Sequence, residues 1–397
     1  MGKIAHVLDS WMTWILKRLR RITLSTAYLP EIDGLRFIAI VAVVFCHLSA
    51  DLVQRHGLQV QSYVEWLCQL LKNFERGVHL FFAISGFILA LPYARRYFQG
   101  QPGPDVKKYF RRRVFRMEPP YLVNVIIVSL ATWAVNADLR PTLIWHFLTA
   151  VTYSHLLIYR YVNPINMLWW SLEIETQFYI LMPLLALLFK IRNPWVRRGI
   201  LIGVSATSFL WQNPGGTGLI SVTILAQIQF FLAGMLAADL YQSGLMRRER
   251  IAWPWDLLGI CAGATLFALP EWWRIPAPLL LLLVLAGALK GHSFRGFLSL
   301  PWVSSIGGMC YTIYLWHVFV MALLLKLTLH WLISSNYLLG MATQSLLLIP
   351  VIFFFCVAMF LLIEKPCMQP EWPAALRAYF KNLSRRTPVP VHAPETD

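Results

Sequence analysis

Residues 28–52 read YLPEIDGLRFIAIVAVVFCHLSADL, and this stretch decides the fold. Beyond Arg36 it carries no Asp, Glu, Lys or Arg until Asp51, and a bilayer core needs about 20 mostly apolar residues of helix. The stretch therefore predicts a membrane-spanning helix near residues 35–53. One titratable side chain, His47, lies deep inside that helix.

The composition of the whole chain agrees with a bilayer environment. Hydrophobic residues make up 58% of the 397 residues, charged residues only 14%, and the mean hydropathy is +0.57. Soluble domains carry about a quarter charged residues. The net charge of +16 comes from short basic runs between apolar segments, which is typical of cytoplasmic loops and not of a nucleic-acid groove. We expect a lipid bilayer as partner and no nucleic acid.

Nine further apolar segments follow along the chain. The sequence therefore predicts an all-α membrane protein with about ten transmembrane helices. The segments at 199–212 and 276–290 are short for a full span, so their boundaries are the least defined. The other seven lie near residues 77–94, 119–137, 173–190, 217–241, 254–270, 306–326 and 340–363.

The distribution of basic residues predicts the orientation. With a cytoplasmic N-terminus, 27 of the 35 Lys and Arg residues fall on the inner side and seven on the outer side. Positive charge marks cytoplasmic loops, and an odd number of spans would break this alternation. We expect both termini in the cytoplasm and a multi-pass protein of the inner cell membrane.

Three regions follow from this pattern. Residues 1–28 form a cytoplasmic N-terminal segment, in which residues 3–22 have the apolar spacing of an amphipathic helix. Residues 29–366 form the transmembrane domain, and residues 367–397 form a cytoplasmic tail that is partly disordered because it is polar and rich in Pro. The aromatic outer segment 138–172 is either an interfacial belt or a lid or floor for a substrate from outside.

Arg36 and His47 are the clearest candidate site residues. They are eleven residues apart, close to three helical turns, so both side chains project from nearly the same face about 16 Å apart along the axis. A guanidinium group at the cytoplasmic mouth suits a phosphate-bearing donor, and a buried imidazole suits proton transfer. His47 is equally consistent with a core histidine that is hydrogen-bonded to a neighbouring helix.

The loop KKYFRRRVFRMEPPY (residues 107–121) gives a second basic group. Arg113 and Arg116 share one helical face, and paired guanidinium groups bind phosphates through two hydrogen bonds. The alternative is that this loop only sets the topology. The six cysteines form no CxxC pair, so we predict no metal site.

Further motifs lie on the second, fourth and ninth predicted spans. FFAISGF places Gly86 where small residues allow close helix packing, and Ser85 beside it lacks the context of a nucleophile elbow. WSLEIETQFY carries Glu175, with Ser171 as a predicted N-cap. CYTIYLWH places Tyr311 near the start of the ninth span.

Together these segments resemble the acyltransferase-3 family of integral-membrane acyltransferases, in the family's order and over residues 28–366. The strings that carry the resemblance are DGLR followed by His47, FFAISGF, RRRVFRMEPPY, WSLEIETQFY, YTIYLWH and the terminal EKP. The resemblance implies ten core helices, a cytoplasmic acyl-CoA donor, most simply acetyl-CoA, and transfer to a hydroxyl of an extracytoplasmic glycan or lipid-linked saccharide.

The resemblance also implies roles for individual residues. His47 is the implied catalytic residue, as general base or transient acyl carrier, and Arg36 handles the donor. Arg113 and Arg116 match the family's Arg-x-x-Arg loop and bind the donor. The implied catalytic set is completed by two residues of the later motifs, Glu175 and Tyr311.

This sequence departs from the family pattern at two places. Cys310 stands where a Ser is usual, and Glu118 adds an anion beside the proposed phosphate site. Many relatives carry a fused esterase-like domain, which we expect this chain to lack, so that it acts alone. The competing hypothesis is a proton-coupled transporter, since buried His and Glu side chains also serve as proton relays.

Overall fold

A computed structural model of the chain describes residues 18–22, 28–55, 57–208, 223–246, 252–328, 336–369 and Trp372. These residues are mostly helical and contain no strand, only one isolated β-bridge between Gln59 and Asn336. The predicted all-α class is therefore confirmed. The predicted amphipathic helix at 3–22 and the tail after residue 367 lie almost entirely outside the described residues.

Sixteen α-helices follow one another in the described part of the chain, with short 3-10 and π-helical turns between some of them. The first seven are α1 Pro30–Ala50, α2 Glu65–Asn73, α3 Gly77–Gln99, α4 Val106–Val135, α5 Leu143–Val151, α6 His155–Tyr159 and α7 Trp169–Leu185. The next four are α8 Pro194–Thr207, α9 Ile228–Gln242, α10 Trp253–Ala268 and α11 Ala277–Lys290. The last five are α12 Ser293–Leu298, α13 Pro301–Gly308, α14 Cys310–Thr328, α15 Tyr337–Met359 and α16 Lys365–Cys367.

Six helical stretches of the described residues are long and apolar enough to cross a membrane. They are Pro30–Arg55, Ser62–Gln99, Val106–Val135, Trp169–Lys190, Cys310–Thr328 and Tyr337–Cys367. The other four predicted spans coincide with α8 to α11, which are only 14 to 16 residues long. The count of ten and the cytoplasmic position of both termini stay predictions.

Close backbone contacts join the central helices. A Cβ atom added at Gly86 would lie 2.1 Å from the carbonyl oxygen of Phe231, and one at Gly234 would lie 2.0 Å from that of Ala83. Only glycine permits such an approach, so α3 and α9 cross with their backbones almost in contact. Gly86 therefore has the packing role that the sequence predicted.

The segment 138–172 folds back against the middle of α4. The Tyr121 hydroxyl donates to the carbonyl oxygen of Ala150 at 3.0 Å, and the Tyr121 ring stacks on Tyr153 at 4.6 Å. Tyr121 lies 14 residues before the end of α4, which is about 21 Å of helix. The short helices α5 and α6 therefore pack along the side of α4 and do not simply cover its end.

Candidate active site

Two cavities meet among the helices α1, α3, α4, α7 and α14. The larger one, with about 2160 Å³ of empty volume including its open mouth, is lined by residues on either side of the loop between α3 and α4. The smaller one, about 850 Å³, extends between the helices. Six residues line both cavities and mark the passage between them: Arg21, Arg36, Ile88, Leu89, Arg113 and Arg116.

The larger cavity is strongly basic. Asp33 and Asp105 are its acidic lining residues, against eight cationic side chains. An excess of guanidinium groups with few counter-ions attracts an anion that carries several charges, and phosphate groups fit this geometry best. The eight cations are Arg21, Arg36, Arg95, Lys108, Arg111, Arg112, Arg113 and Arg116.

A buried carboxylate holds two of these guanidinium groups. Arg36 Nη1 donates to Asp33 Oδ1 at 2.5 Å, and Arg21 Nη1 lies 3.3 Å from the same oxygen. Asp33 is 1% exposed, and its Oδ2 atom has no hydrogen-bond partner among the described residues. Burial lowers the pKa of Arg21 to about 10, and the Arg36 charge acts in the same direction. Both arginines are therefore charged at neutral pH but only partly compensated.

The smaller cavity contains the other predicted polar residues. Ser85 Oγ donates to Glu175 Oε1 at 2.6 Å, which joins α3 to α7. The Tyr311 hydroxyl donates to the carbonyl oxygen of Met117 at 2.9 Å, which joins α14 to α4. The Arg113 guanidinium lies 5.4 Å from the ring centre of Tyr179, so this arginine is held by a cation–π contact.

His47 does not line either cavity. Its ring centre lies 5.3 Å from that of His317 on α14, and the ring of His317 lies 6.0 Å from that of Tyr314, which does line the smaller cavity. The structure thus brings together Arg36, Arg113, Arg116, Glu175 and Tyr311, and it places His47 one layer of side chains beyond them.

Two aromatic rings that line the smaller cavity, those of Phe81 and Tyr314, form the Phe81–Tyr314 wall, and Tyr314 is the one that contacts His317 beside His47. Tyr314 Oη lies 2.6 Å from Ser171 Oγ and donates to the carbonyl oxygen of Leu168 at 3.1 Å. The Phe81 ring meets the Tyr314 ring edge to face at 6.4 Å. Ser171 is therefore not the N-cap of α7, because this helix begins at Trp169, and the hydroxyl holds Tyr314 instead.

Three residues of the site are not predicted from the sequence: Arg21, Asp33 and Phe81. Asp33 and Phe81 take part through contacts between distant segments, which helical spacing alone does not reveal, and Arg21 is indistinguishable in the sequence from a charge that sets topology. Helical spacing does place Tyr314 and His317 on or near one face of the ninth predicted span, without giving either a role.

Comparison with known proteins gives a family for this arrangement. A family model described as Acyltransferase domain matches residues 29–363. The O-acetyltransferase OatA of Staphylococcus aureus is 25% identical over 335 residues, which cover 76% of this chain and 52% of that protein. The peptidoglycan O-acetyltransferase OatA of Listeria monocytogenes is 26% identical over 202 residues, which cover 48% of this chain and 29% of that protein.

The chain spans about half the length of the Staphylococcus aureus relative. No solved structure matches it. The family model nevertheless covers most of the chain, including the helices α1, α3, α4, α7 and α14 around the cavities; the lining residues Arg21, Ile22, Tyr28 and 367–369 lie outside it. The resemblance seen in the sequence motifs is confirmed, and the chain belongs to the Acyltransferase domain family.

Proposed function

We propose that this protein is a membrane O-acyltransferase that moves an acyl group, most simply acetyl, from acyl-CoA to a hydroxyl of an extracytoplasmic glycan. The observation that carries the proposal is the group of guanidinium side chains where the two cavities meet. Acyl-CoA is a polyphosphate joined to a long uncharged arm. The larger, basic cavity, called the basic vestibule below, matches the phosphates of that molecule. The smaller, mostly apolar cavity into which it leads matches the arm.

In this proposal the donor enters from the cytoplasm. Its phosphates bind Arg36, Arg113 and Arg116, and its pantetheine arm extends into the smaller cavity towards the Phe81–Tyr314 wall. Glu175 and Tyr311 line the path of the arm. Their hydrogen bonds to Ser85 and to the Met117 carbonyl hold both side chains in place, so that they can orient the arm. Movement of the wall then gives the thioester access to His47.

The chemistry needs one base. His47 takes the proton of the acceptor hydroxyl while the hydroxyl oxygen attacks the thioester carbonyl; the C–S bond breaks, and the proton passes to the thiolate to give free CoA. General base catalysis supplies about 10²–10⁴-fold in rate. In the alternative route an unprotonated His47 nitrogen attacks the thioester carbonyl, the C–S bond breaks and CoA leaves as the thiolate. The acceptor hydroxyl then attacks the acyl-imidazole, the C–N bond breaks, and the hydroxyl proton is released to balance the thiolate as free CoA.

The names of the relatives favour a cell-wall glycan as the acceptor, because the Listeria protein is a peptidoglycan O-acetyltransferase. Family membership also favours acyl transfer over the alternative of proton-coupled transport. The location in an inner membrane, with the donor side in the cytoplasm, belongs to the same proposal and is supported by the alternation of basic loops along the sequence.

The test uses purified protein in sealed, oriented vesicles. Radiolabelled acetyl-CoA is supplied at the cytoplasmic face, and soluble peptidoglycan glycan strands are enclosed inside. Wild type should acetylate the enclosed glycan and release CoA in equal amount, and both His47→Ala and Arg36→Ala should abolish this. The proposal is wrong if wild type releases no CoA with acetyl-, succinyl- or butyryl-CoA while a solute crosses the membrane in a His47-dependent way.

A further inference from the structure

A second histidine lies against His47, and its hydrogen bonds fix its tautomer. His317 Nδ1 lies 2.9 Å from the carbonyl oxygen of Ile313 and 3.0 Å from that of Tyr314. Carbonyl oxygens only accept hydrogen bonds, so Nδ1 must carry a hydrogen. In a neutral imidazole the other nitrogen, Nε2, is then an acceptor with a free lone pair.

That acceptor has no hydrogen-bond partner in the part of the chain that the structure describes, and His317 is fully buried on α14. A buried polar atom without a partner costs about 1–3 kcal/mol and calls for an explanation. What distinguishes His317 from the other such side chains is its neighbour, the His47 ring, at 5.3 Å between ring centres.

The same protein shows what such a spacing allows. His146 and His155 have ring centres 5.2 Å apart with planes inclined by 43°, and the His146 Nδ1 and His155 Nε2 atoms are hydrogen-bonded at 3.0 Å. The rings of His47 and His317 are 5.3 Å apart and inclined by 48°. The spacing of the His47 and His317 rings is therefore compatible with a hydrogen bond between a His47 nitrogen and His317 Nε2.

We infer that His317 is a positioning residue for His47: its Nε2 atom accepts the N–H group of the His47 imidazole and leaves the other His47 nitrogen unprotonated towards the reacting groups. This inference rests on the proposed function. In this inference a residue on α14, His317, determines which nitrogen of His47 carries the hydrogen. Because α14 also carries Tyr311 and Tyr314, one helix fixes both the wall of the donor cavity and the orientation of the base.

The inference predicts that substitutions at residue 317 change kcat and leave KM for acetyl-CoA nearly unchanged. His317→Leu keeps the volume of the side chain and removes the acceptor, so kcat should fall by about 10- to 100-fold, as for other groups that orient a reacting side chain. KM for acetyl-CoA should change by less than about twofold, since the basic vestibule is untouched. His317→Gln should restore most of kcat because its amide oxygen accepts at nearly the position of Nε2.

The experiment measures acetyl transfer to soluble peptidoglycan glycan strands in the vesicle assay, with His79→Leu as the matched control. His79 is also a buried histidine with both ring nitrogens unpartnered among the described residues, and it lines neither cavity but packs against Phe230 and Trp273. Its loss should leave kcat within about twofold of wild type. Each variant must elute from size exclusion as wild type does, and His317→Asn replaces His317→Leu if the latter misfolds.

The outcomes separate the two proposals. If wild type transfers acetyl and His317→Leu keeps full kcat, the positioning role is wrong and the proposed function stands. Equal loss in His317→Leu and His317→Gln also overturns it, because the ring then serves packing alone. If wild type transfers no acyl group to any glycan, the proposed function itself fails.

Discussion

Asp33 is the residue on which the charge balance of the site depends. Its carboxylate is 1% exposed and faces two guanidinium groups at once, those of Arg21 and Arg36. One negative charge between two buried positive charges leaves the mouth of the smaller cavity positive. It also reduces the repulsion between the two arginines enough for the protein to fold. The arrangement also connects the segment before α1 to α1 itself, so the position of Arg36 depends on a residue three places away.

Removing that carboxylate should therefore destabilise the protein. Asp33→Asn leaves Arg21 and Arg36 facing each other without a counter-ion, and breaking a buried ion pair on one side costs about 3–5 kcal/mol. We expect a clear drop in the melting temperature, measured by tryptophan fluorescence in detergent. Asp105→Asn, at an exposed helix N-cap of the same cavity, is the control and should lower the melting temperature much less.

Lysine should not replace Arg116 of the loop motif without a loss of affinity for acetyl-CoA. Arg116→Lys keeps the charge but loses the planar group that holds phosphate through two hydrogen bonds. We expect KM for acetyl-CoA to rise by about tenfold, or 1.4 kcal/mol, with little change in kcat. Arg192→Lys, at an exposed site that lines neither cavity, should change nothing; equal KM values for both variants would contradict a phosphate role for Arg116.

At the scale of elements, the crossing of α3 and α9 fixes the inner wall of the smaller cavity. Gly234→Val would place a Cβ atom 2.0 Å from the Ala83 carbonyl oxygen, and backbone cannot yield as a flexible side chain does. We expect at least about 3 kcal/mol of destabilisation, the upper range for overpacking, seen as poor recovery of folded protein. Gly203→Val on α8 is the control, because nothing lies within 4 Å of an added Cβ there.

The helix pair α5–α6 should respond to acid. Burial lowers the pKa of His155 from 6.5 to about 4 and also lowers that of its partner His146. The folded protein thus keeps both rings neutral where the unfolded chain binds protons. Their contribution to stability is complete above about pH 6.5 and is lost progressively as the pH falls from there towards 4.

This expectation is tested by thermal unfolding at several pH values between about 7.5 and 5. The melting temperature of wild type should fall with acidification, and His155→Gln, which cannot titrate but reaches the same position, should flatten part of that fall. Glu173, whose carboxylate accepts from the backbone N–H groups of Leu156 and Leu157 at 3.0 and 3.3 Å, holds α6 in both proteins. Identical pH slopes would show that His155 plays no part.

At the scale of the whole molecule, we expect the size of the smaller cavity to limit the acyl group. Phe81 and Tyr314 line this cavity, and shortening one ring would enlarge it. Phe81→Ala should raise turnover with butyryl-CoA relative to acetyl-CoA by about tenfold or more, since one methylene in an apolar pocket is worth about 10–200-fold. Phe319→Ala, which removes a ring of α14 that lines neither cavity, should leave the ratio unchanged.

The sequence predicted the positions of the long apolar helices well, but it did not predict how these helices pack around the cavities. Apolar length located α1, α3, α4, α7, α14 and α15. Helical spacing put Arg113 and Arg116 on one face, but the gathering of Arg36, Glu175 and Tyr311 around one cavity depended on the family resemblance. The spacing could not place His47 behind the Phe81–Tyr314 wall, because that position depends on how α1, α3 and α14 pack. The helices α8 to α11 are shorter than a bilayer is thick, so their number of crossings cannot be read from length.

The Phe81–Tyr314 wall has a consequence for the membrane that holds it. A wide aqueous passage reaching from the basic vestibule past His47 would let protons run down their gradient with every opening. The hydroxyl of Tyr314 is bound to Ser171 and Leu168, which holds this side chain in place. Under the proposed function only an uncharged acyl group would have to pass the wall, and the ion gradient on which the cell depends would be spared.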